Sequence, residues 1–146
     1  MKIIIDTREK KIEHIVSWFE RNGIDFVFKK LDEGDYQIEG NEQITIDRKQ
    51  NLTEMYNCIV GDRSRFLKEV RRCYGKRTKL VLLIEHGGKI KSIEDVANWN
   101  NKYGLMSSGE FARRLYNLSV SYNVDLVFCD KRNTAKKIIE ILGNKS

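Results

Sequence analysis

The sequence contains no proline, so element ends have to be read from Gly, Asn and Ser. Cysteine is scarce: Cys58, Cys73 and Cys129 are odd in number, widely spaced and free of a CxxC pair, which supports neither a disulfide framework nor a zinc site. A reducing, cytoplasmic setting is expected. The only histidines, His14 and His86, have no partner at ligand spacing and read as ordinary surface or packing residues. No apolar run approaches a membrane span, and Met1-Lys2 leads straight into a short strand-like run and Asp6 instead of a signal peptide. Internal repeats, low-complexity segments and linkers are also missing.

What is there fits one core. A chain of 146 residues with 40% apolar composition is expected to form a single domain over residues 1–146. Its formal charge of +6 favours an anionic partner, nucleic acid among them, although charge alone does not decide it. Lys2 to Asp6 is a buried-strand pattern ending on an acid. Ile12, Ile15, Val16 and Phe19 recur at helical spacing and stop at Asn22-Gly23, after which Asp25 to Leu31 returns as a strand. Helices are expected over Asn51 to Val60 and from about Ser64 to Tyr74, and a central buried strand over Leu80 to Ile84. A short helix should follow Ser92, a longer one Ser107 or Ser108, then a strand over Val124 to Phe128 and a helix over Thr134 to Leu142. Strands alternating with helices imply an α/β fold: a central mixed, largely parallel sheet with helices on both faces. Trp99 and Tyr103 stand in a polar loop and read either as base-stacking rings or as partial core.

The stretch from Leu31 to Lys49 organises the rest. Gly34-Asp35 opens a strand at Tyr36-Gln37-Ile38, Glu39-Gly40-Asn41-Glu42 is turn chemistry, and Gln43-Ile44-Thr45-Ile46 alternates polar and apolar. A hairpin here makes Asp35 and Asp47 neighbours. Alternation puts Asp47 and Lys49 on one face and turns Arg48 to the other. Two carboxylates this close repel unless a cation lies between them, and hard oxygen ligands suit Mg2+ or Mn2+.

Gly34-Asp35 followed by Asp47-Arg48-Lys49 resembles the GD…ERK pattern of the XPF-type family of structure-specific DNA nucleases. Asp6-Thr7-Arg8-Glu9 is similar to that family's DxRE element, Asn51 to Phe66 to the helical stretch leading to its GR..RF segment, and Leu80 to Glu85 to its apolar strand ending in Glu. The likeness covers nearly the whole chain and departs in two places: Asp47 stands where Glu is usual, and Thr53 holds the place of an acid, with Glu54 next to it.

The resemblance implies a restriction-endonuclease-like core and a metal-dependent endonuclease acting on branched, forked or single-strand-containing DNA, in repair or recombination. Asp35 and Asp47 would be metal ligands, with Asp6 beside them. Lys49 would be the catalytic lysine, and Arg8, Glu9 and Arg48 would position phosphate or brace the carboxylates. Glu54 and Glu85 are further candidates, Glu85 at the rim. A homodimer is the expected route to more DNA contact. In the helix after Gly61, Arg65, Lys68, Arg71 and Arg72 share an arc opposite Phe66, Val70, Cys73 and Tyr74, which reads as a phosphate-contacting face or as a solvated one. Two other readings stand beside the nuclease. One is a catalytically weak or inactive DNA-binding module of the same fold, which the two departures would suit. The other is a Toprim-like fold with acids at Glu85 and Asp130, which the missing DxD pair weakens.

Overall fold

The structure, a computed structural model, describes residues 1–61, 63–87, 89–102 and 105–143; Tyr103 lies outside them. Its elements in chain order are β1 (Lys2–Ile5), α1 (Glu13–Arg21), β2 (Asp25–Phe28), β3 (Tyr36–Ile38), β4 (Asn41–Lys49), α2 (Leu52–Val60), α3 (Arg63–Lys76), β5 (Lys79–Glu85), α4 (Ile93–Ala97), α5 (Ser108–Tyr122), β6 (Asp125–Cys129) and α6 (Thr134–Leu142). Among the described residues the strands form one six-stranded sheet in the order β2-β1-β3-β4-β5-β6. β1 pairs antiparallel with β3 and β3 with β4, while β1 with β2, β4 with β5 and β5 with β6 run parallel. The fold is therefore the mixed, largely parallel sheet flanked by helices that the sequence pattern implies.

Two apolar layers show why the alternation matters. Leu80, Leu82 and Ile84 of β5 face α2, α3 and α5, whereas Val81 and Leu83 face α1 and α6 together with Ile3, Ile5, Tyr36 and Ile46. A strand buried on both faces reads as a continuous apolar run, as β5 does. Trp99 packs against the first layer, with its ring beside Tyr56 and Phe111, so of its two readings it takes that of partial core.

Several boundaries differ from the sequence pattern. β2 stops at Phe28 because Leu31 leaves the ladder: its N–H donates to Asp6 Oδ1 at 2.8 Å. β4 runs on to Lys49 because β5 pairs with it from Ile44↔Lys79 to Lys49↔Ile84. α3 extends to Lys76 and is closed by Arg77 in the left-handed region (φ 59°), with Thr78 N–H donating to Cys73 O at 2.9 Å. Asn51, Ser92 and Ser107 cap α2, α4 and α5 through their side-chain oxygens. Among the described residues no helix is long and apolar enough to cross a membrane.

Candidate active site

Asp35 is placed by the glycine before it. Gly34 sits at φ +76°, and a Cβ there would meet Thr45 Oγ1 at 2.2 Å and Ile46 O at 3.0 Å, so only glycine lets the two chains approach this closely. Asp35 N–H then donates to Ile46 O at 2.6 Å, and Asp6 N–H to Asp35 O at 2.8 Å. The Asp35 side chain turns toward β4, where its Oδ2 accepts from Arg48 N–H at 2.9 Å. Burial, with Asp47 and then Glu9 as neighbouring charges, pushes the Asp35 carboxyl well above its ordinary range, against the pull of the Arg48 N–H and Lys49.

Asp47 and Lys49 are both buried on the α2/α3 side of β4, and Lys49 Nζ lies 3.3 Å from Asp47 Oδ1. The ammonium also stands 5.3 Å from the centre of the Phe66 ring. Burial pulls the Lys49 pKa down, but Asp47 and further acids more than offset it, and the net shift is upward. Lys49 is thus a fixed cation here, not a base. A cavity of about 440 Å³ opens over these groups, lined also by Glu54, Cys58, Arg65, Phe66 and Glu69. Glu54 reaches it from the first turn of α2, where its Oε2 accepts from Gln50 N–H at 3.1 Å.

Glu69, one turn after Arg65 on α3, is the residue that the sequence pattern did not single out. Burial, the Asp47 charge and a hydrogen bond with Asp47 push its carboxyl up to about 9. Its Oε1 is buried with no hydrogen-bond partner. The only signal in the sequence was that Glu69 is the one acid in a strongly basic helix.

Asp6 lies on the same side of the sheet by alternation, yet its oxygens turn away from Asp35 and Asp47. Oδ2 accepts from Arg8 N–H and Nε at 3.1 and 2.8 Å, and Oδ1 from Arg8 Nη2 and Leu31 N–H at 3.1 and 2.8 Å. Burial raises the Asp6 pKa, and these bonds, that of Arg8 first, outweigh it and hold the carboxyl below its usual range. Arg8 is exposed and close enough to feel the charges of Asp35 and Glu69. It stands at the edge of the site with part of its guanidinium open to solvent.

Arg48, Glu9 and Glu85 occupy the opposite face. The Arg48 side chain is 1% exposed. It donates through Nε to Glu9 Oε2 at 2.7 Å, through Nη2 to Lys10 O at 2.7 Å, and through Nη1 to Glu85 Oε1. Tyr36 Oη donates to Glu9 Oε2 at 2.6 Å, while His14 Nε2 and Thr134 Oγ1 each lie 2.7 Å from Glu85 Oε2. These contacts tie Arg48 to Glu9, Glu85 and the Lys10 carbonyl, behind β4 and away from the cavity over Asp47 and Lys49. Glu85 belongs to this network and not to the rim of the cavity. His14, read as an ordinary surface or packing residue, is one of its partners. His86 accepts at Nδ1 from Leu52 N–H at 3.2 Å and steadies the start of α2.

The basic face of α3 is divided by what surrounds it. Arg65 lines the cavity and Lys68 is exposed. Arg72 and Lys76 turn to buried Glu33, at 3.3 and 3.0 Å. Arg71 leans the other way, its Nε donating to Tyr122 Oη at 3.2 Å.

The family model of the ERCC4 domain matches residues 5–142. The chain belongs to the ERCC4 domain family. Two solved structures share its fold: XPF from Aeropyrum pernix (TM-score 0.72, 18% identity) and XPF from Aeropyrum pernix in complex with DNA (TM-score 0.71, 17% identity). Each match covers 97% of this chain and 63% of the other, so the chain spans about 63% of the length of those relatives. A search of the curated proteins finds no match. This ERCC4 domain thus carries the Asp35, Asp47 and Lys49 constellation on the nuclease fold. Among the described residues, however, no three His, Cys, Asp or Glu side chains stand close enough to hold a metal ion.

Proposed function

We propose that this ERCC4 domain binds branched or single-strand-containing DNA and is, as a metal-dependent endonuclease, a weak catalyst. One observation carries the reading. Asp35, Asp47 and Lys49 converge, but among the described residues no group of three His, Cys, Asp or Glu side chains is assembled to hold a metal ion, and Thr53 stands where the family pattern has an acid.

The donor set fits a divalent cation in kind. Asp35 and Asp47 offer hard oxygens, and Glu69 Oε1 is a buried oxygen without a donor. Mg2+ is often held through one or two carboxylates together with substrate phosphates, so affinity should be low without DNA. When bound, Mg2+ or Mn2+ supplies charge stabilisation at the scissile phosphate and acidifies a water.

The residues do the rest. Lys49, held cationic by Asp47, donates to a non-bridging or leaving oxygen as negative charge grows there. Arg8 and Arg65, both exposed at the edge of the site, draw in the phosphodiester. Arg48, Glu9, Tyr36 and Glu85 hold β4 from behind, so that Asp47 and Lys49 keep their spacing. A homodimer belongs to the same proposal. Sedimentation that finds only monomer under conditions where branched DNA binds in full would remove it.

A second reading, a full-strength structure-specific endonuclease, is favoured by Glu69, whose carboxyl already meets Asp47 and supplies the kind of oxygen that Thr53 lacks. Binding and cleavage of flap, fork, gapped and linear DNAs with Mg2+ or Mn2+ separate the two. The proposal expects tight binding to branched DNA and slow cleavage that Asp35→Asn abolishes. Turnover in the ordinary enzyme range, about 1 s⁻¹ or more, would establish the second reading, and failure to bind any of the DNAs would overturn both.

A further inference from the structure

α3 has a second cleft on its other flank. A groove of about 350 Å³ between α2, α3 and α5 has Ile59, Leu67 and Leu118 among its walls, with Arg63 and Arg71 from α3 and Arg113 and Arg114 from α5. Asn117 and Ser121 add neutral donors, and Tyr122 closes one end, its ring 5.6 Å from that of Tyr74. Glu110 takes Arg113 and Arg114, at 2.5 and 3.1 Å. Among the described residues neither Arg63 nor Arg71 is in an ion pair; Arg71 meets only the Tyr122 hydroxyl.

We infer that this groove is a second nucleic-acid site, one that takes the phosphodiester backbone of a strand lying outside the candidate active site. The inference rests on the DNA-binding reading above and adds to it where a second strand goes.

Three features carry it. Arg63, Leu67 and Arg71 stand at successive turns, so the guanidiniums mark a row about 12 Å long at 1.5 Å per residue. At about 3.4 Å of rise per nucleotide that row spans roughly three to four nucleotides of one strand. The chemistry is that of a strand: cations and neutral donors for phosphate oxygens, and a tyrosine ring at the end on which a base can stack. Finally, Arg65 and Glu69 face the candidate active site from the opposite flank of α3, roughly 180° around the helix at about 100° per residue. The buried stripe of Phe66, Val70 and Cys73 lies between the two flanks. α3 is therefore a wall with the carboxylate-lined candidate active site on one flank and a cationic cleft on the other, which suits DNA whose strands diverge.

The test is the double substitution Arg63→Gln/Arg71→Gln in the full chain, both residues being exposed, with urea unfolding to confirm an unchanged fold. Fluorescence anisotropy would compare a fork with a linear duplex of equal length across a salt series. The expected result is a loss of about tenfold or more in fork affinity at moderate salt and a slope of log K against log salt shallower by roughly 1.4 units, near 0.7 per phosphate contact on a single strand. The variant should then bind the fork no better than the linear duplex. Wild-type fork affinity and slope in the double variant would overturn the inference while leaving the DNA-binding reading intact. A wild-type chain that binds neither DNA would defeat that reading itself. Binding of poly-L-glutamate that the double substitution abolishes, with DNA binding unchanged, would assign the groove to an acidic protein surface and overturn the inference.

Discussion

Replacing Arg48 by alanine removes the cation from the centre of a buried network and should be the most damaging single charge deletion in the chain. The guanidinium serves Glu9, Glu85 and the Lys10 carbonyl at once, and its side chain is 1% exposed. Without it Glu9 keeps the Tyr36 hydroxyl, and Glu85 keeps Thr134 and His14. Two carboxylates would then face each other across a cavity with no cation between them. Breaking a buried ion pair from one side costs about 3–5 kcal/mol, a large share of the roughly 5–15 kcal/mol that holds a typical domain together. Urea unfolding at neutral pH should register a loss of that size. Neutralising the whole set, Arg48→Met with Glu9→Gln and Glu85→Gln, should restore most of it, because no unpaired charge is then buried. A loss below about 1 kcal/mol for Arg48→Ala would refute the reasoning, since it would mean that water reaches the network and already screens it.

Further expectations follow from single side chains. Glu69 carries a folded-state pKa of about 9 against an ordinary value of 4.5, so the folded state binds more protons between those limits and stability falls as pH rises through that window; Glu69→Gln should flatten the fall, and urea midpoints that drop equally in both proteins would contradict it. Gly34→Ala must displace Thr45 or the Ile46 carbonyl from a left-handed backbone position, and should cost about 1–3 kcal/mol and misplace Asp35; a variant with unchanged unfolding and unchanged Mn2+ affinity by calorimetry would show that the turn yields freely. Asp47 is packed against both Lys49 and Glu69, so Asp47→Glu, one methylene longer, should slow cleavage of a forked substrate, a displacement of about 1 Å being worth around a hundredfold in rate; a clear gain would show that the site is not built around the shorter acid.

How much of this was legible in the sequence depends on how far apart the interacting residues lie. Period-two alternation in β4 was enough to set Asp47 and Lys49 on one face and Arg48 on the other, and it held because both faces of that strand are covered. Gly34-Asp35 announced the turn, and Asn51, Ser92 and Ser107 marked helix starts. The partners of Arg48 were less visible: Glu9 and Glu85 lie 39 and 37 residues away, and no local pattern relates them to it. His14 and Glu85, 71 residues apart, are joined only by the packing of α1 and α6 on one face of the sheet. The basic arc of α3 looked uniform because a helical wheel shows directions and not neighbours. Buried Glu33 takes Arg72 and Lys76, while α5 draws off Arg71. Glu69 stood out in the sequence only as the lone acid of α3, since only the docking of that helix over β4 sets its carboxyl against Asp47.

The most direct test is one binding-and-cleavage comparison on a single labelled fork, with the wild-type chain, Asp35→Asn and Lys49→Ala in Mg2+ or Mn2+. The wild-type chain should bind the fork more tightly than a linear duplex and cut it slowly. Lys49→Ala should bind as well as wild type and not cut, because that ammonium acts on charge that grows only in the transition state. Asp35→Asn should lose cleavage together with Mn2+ affinity. Cleavage by Lys49→Ala within a few-fold of wild type, or a wild-type chain that does not distinguish fork from linear duplex, would contradict the central claim.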